Sequence, residues 1–335
     1  MRLWGLCGAS AAVRGISLAS PQNLPRHLRM VGSWSSARLA VCAAAAAAAV
    51  LVLYRRRRRR KALAFVPWEQ VDEAGDAVLV VDCTHPKLQC LTHHKMPYSP
   101  PEAIKGDSTS DMVLNALSQD HALVRSAAAV SVNHFDIDAF VSVWSLQNPE
   151  IALQYLDALH AASNIGDFRE LDLDAPGADL GLKACCWLNT VERRLFSRPF
   201  EPGDKDKWPY FLGGGRFASF LRDPAPFRSD WQEEHARVLA DVELLQLRGK
   251  VRRYPEIGLC VIEAPRPLHY YALFGATKGC DIVLASYGEG AHVQVEVEQK
   301  YTQFVNLCSR PTHPRIGMDR LVSELNALEE RARAE

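Results

Sequence analysis

The chain has 335 residues, 48% of them hydrophobic, and a formal net charge of zero. That neutrality hides a split: residues 1–61 hold 12 Lys and Arg and no acidic residue, which leaves 27 basic against 39 acidic residues, a net of −12, in the remainder. An acidic body of that kind excludes general nucleic-acid binding, which rests on neutralising phosphates with Lys and Arg.

Nine cysteines, an odd number with no CxxC pair, argue against a disulfide framework and fit a reducing compartment. Along the chain, residues 1–38 form a basic, Ser-rich segment. Residues 39–54, LAVCAAAAAAAVLVLY, are an unbroken apolar run flanked by Arg38 and by Arg55 to Arg60. The run falls short of the roughly 20 residues of a straight transmembrane helix, and the flanking arginines can snorkel to make up the difference. The expectation is a single-pass anchor with the large domain on the cytosolic side, since the arginine block follows the run. The competing reading is a targeting peptide for a chloroplast or mitochondrion, because the segment is rich in Arg and Ser and lacks acids.

After a polybasic linker over residues 55–76, residues 77–200 read as an α/β lobe. Buried strands are expected at Ala77 to Cys83, Lys87 to Thr92 and Ala127 to Val132, and helices at Ser108 to Leu117, Ala139 to Leu146, Pro149 to Ala162 and Asp179 to Phe196. Alternation of strand and helix predicts a mostly parallel sheet with flanking helices. Residues 201–228, rich in Pro, Gly and aromatics, read as a hinge or cleft wall. Residues 229–335 read as a smaller antiparallel α+β lobe. It starts with a helix at Ser229 to Leu247. Strands follow at Lys250 to Tyr254, Leu259 to Glu263, Tyr270 to Phe274, Asp281 to Ser286 and His292 to Glu298, and a helix closes it near Asp319 to Arg333.

The chemistry concentrates at His134, Asp136 and Asp138, where a buried strand ends and a helix opens. Ligands of α/β sheets gather at the carboxyl ends of strands. One imidazole with two carboxylates suits Mn²⁺ or Mg²⁺ better than a structural zinc. The plainer reading makes Asp138 a helix cap and His134 a loop residue. A second group, Asp82, His85, His93, His94 and Asp107, lies upstream, and Asp167 is a third candidate. Arg310 and Arg315, near Tyr301-Thr302-Gln303, offer forks for an anionic substrate. There is no P-loop and no GxGxxG, which discounts a dinucleotide enzyme.

The segment Val132-Asn133-His134-Phe135-Asp136-Ile137-Asp138-Ala139-Phe140-Val141-Ser142 resembles the first motif of the DHH phosphoesterase superfamily: a strand, then His, Asp and Asp at short spacing, then a small residue and a Ser. Thr92-His93-His94 is similar to that family's Asp-His-His signature with Thr in place of Asp, and Asp107 to Val113 is similar to the Ser/Thr-rich helix start that follows it. Residues 77 to about 330 also resemble an uncharacterised conserved family of bacteria and algae. The superfamily likeness implies a two-ion hydrolase of phosphoesters or phosphoanhydrides. Its ions, Mn²⁺ or Mg²⁺, would be held by His134, Asp136, Asp138, Asp167 and the His93/His94 pair, with Asp82 standing in for the missing carboxylate and an unligated histidine as general acid. The substrate would be a phosphorylated small molecule or short oligonucleotide. In the superfamily the His–Asp–Asp motif comes first; here the His-His segment precedes it, so either that likeness is accidental or the sheet is permuted. The rival is a non-catalytic, membrane-tethered binding or scaffold protein that kept the fold.

Overall fold

The computed structural model describes residues 61–95, 99–196, 204–289, 292–314 and 317–334. The expected anchor and Arg315 lie outside the described residues. Among the described residues no helix is long and apolar enough to cross a membrane.

The first sheet contains β1 (Ala64–Phe65), β2 (Val78–Val81), β3 (Gln89–Leu91) and β4 (Ala129–Ser131), in the order β1-β4-β2-β3. Every pair is parallel, with Val81 opposite Leu91 and Val80 opposite Ser131. All four residues of β2, three Val and one Leu, are buried, as expected inside a covered parallel sheet. Parallel pairing puts the carboxyl ends of β2, β3 and β4 at one edge, and this is what gathers the site.

Helices α1 (Thr109–Ser118), α2 (Ala122–Ser126), α3 (Ile137–Gln147), α4 (Pro149–Ala152), α5 (Leu156–Phe168) and α6 (Ala178–Leu195) build the rest of this lobe. The helix expected from Pro149 to Ala162 is broken between Ala152 and Leu156 into α4 and α5. Helix α3 packs against α1 and α5, and α5 against α6. Gly166, on α5, sits where an added Cβ would overlap the Ile137 side chain at the start of α3.

Of the stretch read as a hinge or cleft wall, the described part, residues 204–228, is largely helical. They carry α7 (Asp204–Leu212) and α8 (Arg216–Arg222), and Trp208, Phe211, Phe217 and Phe220 are buried in the main core. Phe135 stacks on Phe211, and Trp187 on Phe220. The aromatic richness that suggested a cleft wall is core packing, and aromatic side chains bring large apolar areas to such cores.

Helix α9 (Gln232–Arg248) leads into the second sheet: β5 (Lys250–Tyr254), β6 (Leu259–Ala264), β7 (Ile282–Glu289) and β8 (His292–Gln299), ordered β5-β6-β7-β8. It is mixed rather than antiparallel, because β6 and β7 run parallel. The strand expected at Tyr270 to Phe274 is instead helix α10 (Tyr270–Ala276), the crossover that a parallel pair requires. His269 caps it, its ring nitrogen accepting the Tyr271 N–H at 3.2 Å. A small core of Ile262, Leu273, Phe274 and Val283 lies beneath this sheet, and α11 (Met318–Ala334) follows.

Residues 300–309 form a strap from the second sheet back to the first. Asn306 donates its N–H to the His93 carbonyl (2.8 Å) and Lys95 to the Phe304 carbonyl (3.2 Å). The Asp107 carboxylate accepts the N–H groups of Cys308 (2.5 Å) and Ser309 (2.9 Å). At the base, Lys300 bonds Glu170 (2.7 Å), and Thr302 donates to Asp281 (2.7 Å). Overpacking a filled core costs about 1–3 kcal/mol. Gly166→Val should therefore lower the unfolding free energy by roughly 3 kcal/mol, the upper end of that range; urea unfolding of the two proteins checks it.

Candidate metal centre

Three turns leave the aligned strand ends. Asp82 directly follows β2 and adopts the left-handed conformation, φ 53°. That region is uncommon for residues other than glycine and asparagine-like ones, and aspartate tolerates it better than most. His93 and His94 follow β3 by two residues. The segment from Asn133 to Asp138 follows β4 and opens α3.

The side chains converge. His93 Nε2 lies 3.6 Å from Asp82 Oδ1, and His94 Nδ1 lies 3.8 Å from the same oxygen. The other oxygen, Oδ2, is 3.2 Å from His134 Nε2, which is also 3.2 Å from Asp136 Oδ2. His93 Nδ1 faces Asp167 Oδ2 at 3.4 Å and Asp138 Oδ2 at 3.8 Å. Among the described residues, three donor groups have spacings that could hold an ion: Asp82 with His93 and His94, Asp82 with His134 and Asp136, and His93 with Asp138 and Asp167. Asp82 belongs to the first two groups and His93 to the first and third.

Burial shifts the charges. Asp82 and Asp167 have carboxyls raised well above the ordinary value, by burial first and then by neighbouring carboxylates. Burial also lowers His93. For His94, burial and then the charges of His93 and His134 bring the imidazole down to about 4. Burial opposes charge on His134 too, yet Asp136 and Asp82 outweigh it and push that imidazole up to about 11. Asp136 is the reciprocal case: burial would raise its carboxyl, but His134 holds it below the ordinary value.

The two aspartates of the His–Asp–Asp segment have different duties. Asp136 is the cap of α3, accepting the Ala139 N–H at 2.8 Å. Asp138, named above as the cap in the plainer reading, is two residues further in, within the first turn, and reaches a different helix. Its carboxylate accepts the N–H groups of Thr109 (2.9 Å) and Ser110 (2.8 Å) and the Ser110 hydroxyl. It thus pins the start of α1 to the start of α3. Asp167 lies in the last turn of α5, not at a strand end. His85 is turned away: its Nδ1 accepts N–H groups from Lys87 and Leu88, and its Nε2 faces Asp72. Asp107 is engaged by the strap.

Arg310 does not line the site. Its guanidinium forks onto Glu170 at 2.9 and 3.2 Å and lies 3.5 Å from Asp281, an ion-pair cluster at the base of the strap. The cations that do line the cleft, a cavity of about 990 Å³ between the lobes, are Lys95, Arg169 and Lys300. Arg169, whose side chain is 51% exposed, sits 5.2 Å from the Tyr270 ring and 5.4 Å from that of Phe274. It was missed in the sequence, although it stands two residues after Asp167. Thr109, which donates its hydroxyl to Asp82 Oδ1 at 2.8 Å, was missed as well. Thr92 bonds His94 Nδ1 through its hydroxyl at 2.8 Å.

The model of a protein family of unknown function, DUF6687, matches residues 61–334, and the chain belongs to that family. No curated protein and no solved structure matches the chain.

Leaving buried donors unpaired costs about 1–3 kcal/mol each, whereas losing a helix cap costs about 1 kcal/mol. In metal-free protein, Asp138→Ala should therefore lower stability by roughly 2–4 kcal/mol, and Asp136→Ala by about 1 kcal/mol. Urea melts of both variants read the difference, and the reverse order would exchange the two duties.

Proposed function

Because membership in DUF6687 brings no activity with it, we propose a function from the site itself: metal-dependent hydrolysis of a phosphoester or phosphoanhydride. The observation that carries the reading is Asp82, which turns one oxygen to His93 and His94 and the other to His134. Placed so, Asp82 could offer one oxygen to each of two ions. The donor set of imidazoles and carboxylates fits Mn²⁺, with Mg²⁺ the alternative. Asp82, His134 and Asp136 would hold one ion. Asp82 with His93 and His94, or His93 with Asp167 and Asp138, would hold the other. Such ions supply a nucleophilic water at neutral pH and stabilise charge on phosphoryl oxygens.

The chain's own residues do the rest. His94, neutral down to about pH 4, suits a ligand nitrogen better than the general acid, since metals bind the unprotonated imidazole. Thr109 orients Asp82. Arg169 faces the cleft with donors for an anionic phosphoryl group. The likeness to the DHH phosphoesterases in permuted order is supported by β2, β3 and β4 being parallel neighbours, which gives the two segments one common edge. The N-terminal run would tether this activity to a membrane, with the catalytic body on the cytosolic side.

The second reading, a binding protein without turnover, is favoured by Thr92 at the place of a carboxylate. Both readings require metal uptake. Wild-type protein should gain thermal stability with Mn²⁺, and Asp82→Asn should abolish the gain; an unshifted melting curve in the wild type removes both. Hydrolysis of bis(p-nitrophenyl) phosphate by the Mn²⁺-loaded wild type separates them.

Two further outcomes are expected. The ion binds the deprotonated carboxylates, and Asp82 and Asp167 hold their protons above the usual carboxylate range. Mn²⁺ affinity should thus rise with pH through that range, with protons released, as read by calorimetry in buffers of different ionisation enthalpy. Arg169→Ala should raise KM about tenfold or more, as expected for a lost charged hydrogen bond of about 1.5–3 kcal/mol, with little change in the Mn²⁺ affinity.

A further inference from the structure

The loop that carries His134 and Asp136 has a buried support that the proposed chemistry does not use. Phe135, between the two, donates its backbone N–H to Asp204 Oδ2 at 3.2 Å. The other oxygen of Asp204 accepts from Lys207 Nζ, one turn further along α7. Lys207 has no exposed side-chain surface, and its ammonium also bonds Glu192 Oε1 at 2.7 Å. That ammonium lies 5.5 Å from the centre of the Phe135 ring, and the ring itself packs on Trp208 at 5.0 Å and on Phe211. Glu192, on α6, lines the cleft.

A lysine is rarely buried without paired charges. Here the pairing links three elements: α6 through Glu192, α7 through Lys207 and Asp204, and the ligand loop through Phe135. The Phe135 N–H is the backbone donor between two candidate ligands. Fixing it and the ring fixes the directions in which His134 and Asp136 leave the backbone. Partners that orient metal ligands from behind typically change affinity 10- to 100-fold when removed.

We propose that Asp204 and Lys207 are positioning residues that hold the His134–Asp136 loop in its ligating geometry. This rests on the metal reading above. The test compares Mn²⁺ affinity by calorimetry with hydrogen exchange at the Phe135 amide, in wild type, Asp204→Ala, Lys207→Met and the double variant. Asp204→Asn serves as the milder change if Asp204→Ala does not fold. Asp204→Ala should weaken Mn²⁺ binding about 10-fold or more and speed exchange at Phe135 in the metal-free protein. The double variant should bind no more weakly than the weaker of the two singles, because residues acting as one unit are not additive. Val283→Ala, a change in the separate small core beneath the second sheet, should lower the melting temperature and leave Mn²⁺ affinity as it is.

Wild-type protein that binds no Mn²⁺ overturns the metal reading and this role with it. Wild-type binding with equal affinity in Asp204→Ala and Lys207→Met, or unchanged exchange at Phe135, overturns the positioning role alone.

Discussion

Burying carboxylates against one another is costly unless something balances them. At the edge of the first sheet, Asp82, Asp136, Asp138 and Asp167 lie around His93, His94 and His134. The fold offsets this locally, in part by hydrogen bonds to N–H and hydroxyl groups: Ala139 for Asp136, the start of α1 for Asp138, and Thr109 for Asp82. What those bonds leave is raised carboxyls at Asp82 and Asp167 and lowered imidazoles at His93 and His94, beside a His134–Asp136 pair shifted the opposite way. Perturbed groups gathered in a cleft make this edge the candidate functional site.

The second lobe contributes through shape and through cations. Its strap runs along the His93–His94 segment and is anchored at its base by Lys300, Arg310, Glu170, Asp281 and Thr302. Glu170 accepts from both cations and follows α5 by two residues, so the anchoring cluster starts three residues from Asp167. Lobe packing and ligand placement are in this way coupled through one short stretch of chain.

Much of the first lobe could be read in the sequence. The runs around Val78 to Val81 and Ala129 to Ser131 are β-branched or small and apolar, bounded by turn residues, and the strands fall there. The helix expected from Ser108 begins there, with the Ser108 side chain accepting the Asp111 N–H as its cap. Tyr270 to Phe274 was misread because aromatic residues favour strands as well as buried helices; the signal against it was His269, whose cap is invisible to hydropathy. The parallel β6–β7 pair followed from that helix and was missed with it. Within residues 204–228 the Pro and Gly outweighed the aromatics in composition, while in space Trp208, Phe211, Phe217 and Phe220 fill the core. For the site, proximity within one segment was legible, as at His134 and Asp136. Across segments, the grouping of Asp82, His93, His94 and Asp167 with His134 came from the family likeness, while the supporting bonds were not legible: that from Asp138 to α1 spans 29 residues, and that from Asp204 to Phe135 spans 69. Arg310 was misassigned because a guanidinium suits a buried carboxylate as well as a phosphate.

The strap also sets a timetable. Cys308 lies 201 residues beyond the aspartate that receives its N–H. At roughly 5–20 residues per second, the usual pace of synthesis, the nascent chain exposes the His93 segment for about 10–40 s before its outer edge can be covered. The strand ends can align in that interval from local and mid-range contacts. Closing the cleft over them is a late, high-contact-order event, so early domain compaction and a finished cleft are separate milestones in the life of one polypeptide.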